Sequence, residues 1–123
     1  MTYIGLSLDV GRKAFSIDGV IGLIRRLAEL GFTALHLHLS DTHRVGVALP
    51  GFEDLAAEDA WSAADIDRLV DAAHGVEIDL VPEVDLPSHA EALLAGREHL
   101  RLRDRRGRVH ADRLDVSVPE ARE

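Results

Sequence analysis

Ala34 to Asp41, A-L-H-L-H-L-S-D, and Leu80 to His89, L-V-P-E-V-D-L-P-S-H, decide how this chain is read. Each begins as an apolar strand and turns polar and acidic where it ends. Chemistry in parallel α/β proteins gathers at the carboxyl ends of strands, so the pair reads as two neighbouring pieces of an active-site rim. In the first, Leu35, Leu37 and Leu39 alternate with His36, His38 and Ser40, which gives the two faces of one strand different chemistry.

Working outward, Tyr3 to Val10 is a mostly apolar run that predicts the first strand. Ser16 is a good N-cap, Asp18 suits the positive end of a helix, and Ile17, Val20, Ile21, Ile24 and Leu27 fall on one helical face. Gly31 is placed to close that helix in the left-handed conformation. Asp41 to Trp61 carries Pro50-Gly51 and no strong period, so a long loop is expected there. Ser62 and Asp65 resemble a capping box ahead of an apolar face of Ile66, Leu69, Val70 and Ala73, in a helix ending at His74-Gly75.

A third strand is expected over Val76 to Val84, with Pro82 limiting its pairing, and then a short helix from Ser88 to about Ala95. Arg105 to Arg108 looks like a turn between two extended pieces, and Val118-Pro119-Glu120 like a first helical turn. Strand and helix alternate three times, the order of a parallel sheet with right-handed crossovers.

Composition narrows the function classes. The 123 residues are 46% hydrophobic, which fits one soluble globular unit, here 1–123. Acidic residues outnumber basic ones 22 to 14, a net charge of −8, which opposes binding to nucleic acid or an anionic membrane. The chain has no cysteine, so disulfides, thiolate metal sites and a Cys nucleophile are excluded. No run approaches the roughly 20 apolar residues of a membrane helix, and no signal-peptide pattern precedes Tyr3. The localisation expected is cytoplasmic, or that of a secreted parent from which the chain is a fragment.

Three constellations could carry chemistry. His36 and His38 lie on one face with rings about 7 Å apart, a spacing that suits a shared metal or a pair of hydrogen-bonded histidines. Asp41 and His89 stand just past the ends of neighbouring strands, as a carboxylate that fixes an imidazole's tautomer or as a loop cap and a surface residue in a helix's first turn. Glu83 and Asp85 share a face, as an acid–base pair or as a hydrogen-bonded rim.

The motifs L-S-L-D-V-G-R-K-A-F-S at 6–16, H-L-H-L-S-D at 36–41 and V-P-E-V-D-L-P-S-H-A at 81–90 resemble successive motifs of the family 20 glycoside hydrolases, the β-N-acetylhexosaminidases. The tail from Leu100 to Glu123 is similar to the segment after the third strand in some members. The resemblance implies an α/β fold comprising the first three βα units of a (β/α)8 TIM barrel, truncated or incomplete. It also implies removal of terminal N-acetylhexosamine from glycans without metal or other cofactor. The mechanism it implies is substrate-assisted: the sugar's own acetamido oxygen attacks the anomeric carbon, helped by an adjacent Asp-Glu pair after the fourth strand. Asp41 and His89 then correspond to a supporting pair that tunes the acid glutamate.

This chain has no adjacent Asp-Glu; Glu53-Asp54 and Glu58-Asp59 run in the reverse order. Ile4 stands where the family commonly has a sugar-binding arginine, so no substrate-binding residue is assigned. The expectation is a fragment or divergent relative of a hexosaminidase, inactive alone, whose open sheet edges invite self-association. The alternatives are a metal-dependent TIM-barrel hydrolase using His36 and His38, and a non-catalytic glycan-binding or assembly module.

Overall fold

The computed structural model describes residues 2–123. Strand β1 (Gly5–Asp9) leads to helix α1 (Ile17–Glu29), then strand β2 (Ala34–Ser40). Two short strands follow, β3 (Val45–Val47) and β4 (Ala56–Trp61), before helix α2 (Ala63–His74) and strand β5 (Asp79–Val84). A hairpin of β6 (Arg101–Arg103) and β7 (Val109–Leu114) and a 3-10 turn at Pro119–Arg122 complete the described chain.

The sheet is centred on β2. It pairs in parallel with β1, Leu35 opposite Leu6, and with β5, Leu35 opposite Leu80. This is the expected parallel arrangement, but the whole sheet is mixed, because β3 runs antiparallel from Ser40↔Val45 and β4 pairs in parallel with β3. The expected loop over Asp41 to Trp61 therefore contains two strands. Their signal is weak in the sequence: Val45-Gly46-Val47 is too short to show a period, and β4 reads A-A-E-D-A-W. Tertiary contact makes them. Val45 and Val47 are buried, and Trp61 Nε1 donates to the Phe15 carbonyl at 2.8 Å.

Alternation along β2 sets the layers. Leu35, Leu37 and Leu39 face a core with Val20, Ile24 and Leu27 of α1 and Leu69 and Ala73 of α2. Ile24, Leu35 and Leu69 are fully buried, each contributing about 1.5–3 kcal/mol of apolar transfer. Ser16 caps α1 through Gly19 N, and Ser62 with Asp65 forms the full reciprocal capping box of α2. Gly31 takes φ 80° just past α1. Val70, expected on the apolar face of α2, is instead exposed.

The helix expected over Ser88 to Ala95 is absent; the segment is a series of turns. His89 has φ 56°, outside the right-handed helical region, and the Ala90 amide bonds to the Asp112 carbonyl of β7. Ala90, Leu94 and Leu100 form a second small core under the hairpin. The turn at 105–108 is as expected, with Gly107 at φ 79°. The third strand begins at Asp79, later than Val76, since Ile78 N still bonds to Ala73 O at the end of α2. Pro82 lies within β5, opposite Leu37.

Candidate functional site

The carboxyl ends of β1, β2 and β5 converge on Asp41. It is 2% exposed, one of two buried polar residues among those described, the other being Ser40. A buried carboxylate must be paired and hydrogen-bonded to stay charged. Here Oδ2 accepts from His38 Nε2 at 2.7 Å and faces Arg12 NH2 at 2.9 Å. Oδ1 accepts from the Thr42 amide at 2.6 Å and lies 3.5 Å from His89 Nδ1. The two residues singled out in sequence, Asp41 and His89, are thus brought together.

Local backbone explains the approach of Arg12. The amides of Val10 and Gly11 both bond to the His38 carbonyl, which carries the end of β1 across the end of β2. A Cβ on Gly11 would sit 2.7 Å from the Ser40 carbonyl carbon and 2.9 Å from the Asp41 amide, so only glycine permits this crossing. Arg12 then turns back, held by Asp9 at 2.6 Å, with Asp41 beside it. The Asp85 amide donates to Ser40 Oγ at 3.2 Å and ties the end of β5 to the same point.

The histidine face of β2 is a continuous network. Glu83 from β5 takes both rings: Oε2 lies 2.5 Å from His36 Nε2, and Oε1 lies 2.8 Å from His38 Nδ1. Ser7 Oγ of β1 meets His36 Nδ1 at 3.1 Å. His38 is therefore flanked by a carboxylate at each ring nitrogen, and both nitrogens are placed as donors, the imidazolium form.

The electrostatics follow. Burial pushes the Asp41 carboxyl up, but His38, the Thr42 amide, Arg12 and His89 outweigh it and hold it down at about 2. Burial disfavours charge on His38, yet Asp41 and Glu83 raise it above its ordinary value. The hydrogen bond from His38, aided by the charges of both rings, lowers Glu83.

His38, Asp41 and Asp85 offer donor atoms within 4.8 Å of one another, a separation at which a cation could be shared. The chemistry of the set does not suit one. Both nitrogens of His38 face carboxylates, and the Asp41 oxygen nearest it is already beside the Arg12 guanidinium. His36 and His38 share a carboxylate rather than a common open point, and Glu83, engaged by both rings, is not free to pair with Asp85.

Arg12 is a site residue that sequence reasoning passed over, and His38, singled out there with His36, was not linked to Asp41 and Glu83. The signal for Arg12 was present, a glycine and a cation directly after an acid-ended strand. The function of His38 depended on where β5 would place Glu83. Among the described residues no helix is long and apolar enough to cross a membrane.

Comparison with known proteins gives one consistent result. The family profile described as glycosyl hydrolase family 20, catalytic domain, matches residues 1–121. A β-N-acetylhexosaminidase of Cellulomonas fimi is 33% identical over 99 residues, covering 72% of this chain and 20% of that protein. An N,N'-diacetylchitobiase of Vibrio harveyi is 25% identical over 125 residues, 78% of this chain and 14% of that protein. The chain thus spans about a fifth or less of these relatives. Among solved structures, a chitobiase of Flavobacterium johnsoniae superposes with a TM-score of 0.85 at 26% identity, over 98% of this chain and 20% of that one. The Streptomyces plicatus N-acetyl-β-hexosaminidase gives 0.79 at 26% identity, over 97% of this chain and 27% of that one.

Proposed function

Because the chain belongs to glycosyl hydrolase family 20, we propose that it is the part of a β-N-acetylhexosaminidase barrel that carries the supporting pair Asp41 and His89. In this reading β1, β2 and β5, with α1 and α2, are the first βα units of a (β/α)8 barrel, and the histidine face of β2 looks into it. The substrate class is a glycan ending in N-acetylhexosamine.

The observation that carries the reading is the environment of Asp41. It is a buried carboxylate held at about 2, with one oxygen committed to His38 and Arg12 and the other turned to His89. Its chemical role is to receive the Nδ1–H of His89 as a hydrogen-bond acceptor, which fixes that ring's tautomer and leaves Nε2 facing outward. Nε2 then supports the general acid that protonates the leaving glycosidic oxygen. Nucleophilic attack comes from the substrate's acetamido oxygen, so no side chain of this chain attacks carbon. His89 is half-exposed and sits at φ 56°, a conformation that aims the ring back at β2.

The 123 residues hold no adjacent Asp-Glu, and we expect no turnover of an aryl N-acetylglucosaminide by this chain alone; measurable turnover would overturn that. The reading itself is tested by exchange. This segment replaces the matching portion of the Streptomyces plicatus enzyme, and hydrolysis is measured with and without Asp41→Asn. The exchanged protein should turn over, and D41N should lower kcat roughly a hundredfold. A folded, active exchange indifferent to D41N would remove Asp41 from the mechanism.

A further inference from the structure

The supporting pair is the end of a longer chain of contacts. From the middle of the sheet outward run Ser7, His36, Glu83, His38, Asp41 and His89, each within hydrogen-bond or ion-pair distance of the next. Acids and imidazoles alternate from His36 to His89, and the chain crosses all three parallel strands. We propose that Glu83 and His38 are positioning residues, a relay that sets the orientation and charge of Asp41 and through it the proton affinity of His89. The inference rests on the functional reading for its catalytic meaning, but the relay is a physical property of this chain.

Three observations argue for it. Glu83 bridges the two rings with separate oxygens, so each β2 histidine is fixed by a strand other than its own. His38 is largely buried, its side chain 12% exposed, with carboxylates at 2.8 and 2.7 Å on opposite nitrogens; loss of either changes what the other must neutralise. Asp41 has no oxygen to spare, so a change at His38 alters the charge that Asp41 presents to His89. The charged groups facing the relay are known on every side. Asp9 and Arg12 come from β1 and its turn, His36 and Asp41 from β2, and Glu83 and Asp85 from β5 and its end.

The relay makes a prediction with alternating sign. In Glu83→Gln, His38 loses one of its two anions and its titration midpoint should fall by about one pH unit. Once His38 is neutral, Asp41 has only Arg12 and His89 as cationic partners, and the His89 midpoint should rise. In His36→Gln, Glu83 is left to His38 alone, and the His38 midpoint should rise. A general loosening would draw the His38 midpoint toward the ordinary imidazole value in both variants, so the rise in H36Q is what separates the relay from it.

The test is NMR titration of the imidazoles in the 123-residue protein, wild type and both variants, with His74 and His99 outside the relay as internal references. Unfolding by denaturant in parallel reports whether each variant folds. The proposal stands if His38 moves down in E83Q and up in H36Q while His89 moves up in E83Q. It is overturned if His38 is unmoved in either folded variant, or if His38 falls in E83Q while His89 stays fixed. Should E83Q not fold, the H36Q titration decides alone. No substrate is involved, so failure here is distinct from failure of the exchange experiment.

Discussion

The Arg12 guanidinium lies 2.9 Å from the buried carboxylate of Asp41, joining the turn after β1 to the end of β2. The pair is asymmetric in a telling way: Arg12 is more than half exposed, whereas the Asp41 side chain is 3% exposed. An exposed cation against a buried anion keeps most of its hydration while neutralising its partner, which lowers the desolvation cost of burying the acid. The ends of three strands are thereby held around one negative charge.

Replacing that charge should be costly. Asp41→Asn keeps the shape but leaves His38 hydrogen-bonded to a single carboxylate, Glu83. Breaking a buried ion pair from one side typically costs about 3–5 kcal/mol, and His38 can shed its proton to recover part of it. The expected loss is about 3 kcal/mol near neutral pH, read from urea unfolding. It should shrink as pH falls through about 2, where the wild-type carboxyl becomes protonated. A loss that stays constant down to that pH would mean the charge of Asp41 is not what stabilises.

The pH dependence has two limbs of opposite origin. Asp41 has a folded value of about 2 against an ordinary 3.8, so its stabilisation is complete above the ordinary value and lost as pH falls through about 2. The difference corresponds to about 2 kcal/mol. His38 is raised, so its stabilisation is complete below its ordinary 6.5 and lost as pH rises through its folded value. Denaturation midpoints measured from about pH 2 to about pH 9 should therefore form a plateau between about 4 and 6.5. Stability that climbs from pH 6.5 upward would reverse the sign assigned to His38.

Much of this was legible in the sequence, and the parts that were not share a cause. The bounds of β2 and the starts of α1 and α2 were readable because Leu35, Leu37 and Leu39 alternate, and Ser16 and Ser62 are local caps. Strand ends made the meeting of Asp41 with His89 one of two readings, and the family resemblance favoured it. What was not readable depends on contacts distant in sequence. β3 is a strand because Val45 and Val47 are buried beside β2, and His89 is not helical because β7 takes the next amide. His38 becomes a link only when Glu83, far along the chain, arrives at its other nitrogen.

The start of α2 offers a local test. Ser62 Oγ accepts from the Asp65 amide at 3.2 Å, and the Asp65 carboxylate accepts from the Ser62 amide at 3.0 Å. The bond from the Ser62 amide, with that from the Ser62 hydroxyl, lowers the Asp65 carboxyl. Ser62→Ala removes the first bond and should cost about 1 kcal/mol, seen as a lower thermal midpoint. Ser62→Asp, another good cap, should recover most of it. An S62A protein as stable as wild type would mean that packing of Leu69 and Ala73 alone holds the helix end.

Gly11 makes the sharpest packing claim about the site. Its φ is not in the left-handed region, so the need for glycine is spatial and not conformational. A methyl group there would stand 2.7 Å from the Ser40 carbonyl carbon and 3.0 Å from Asp41 Cβ, neighbours that are backbone or near-backbone and buried. Neither can swing aside, so Gly11→Ala must part the turn after β1 from the end of β2, at about 1–3 kcal/mol. Parting them lengthens the Arg12 to Asp41 pair, so the Asp41 carboxyl should titrate higher in G11A than in wild type. Carboxyl-carbon NMR titration combined with urea unfolding checks both consequences. Destabilisation without movement of the Asp41 midpoint would separate the packing of this crossing from the charge it delivers.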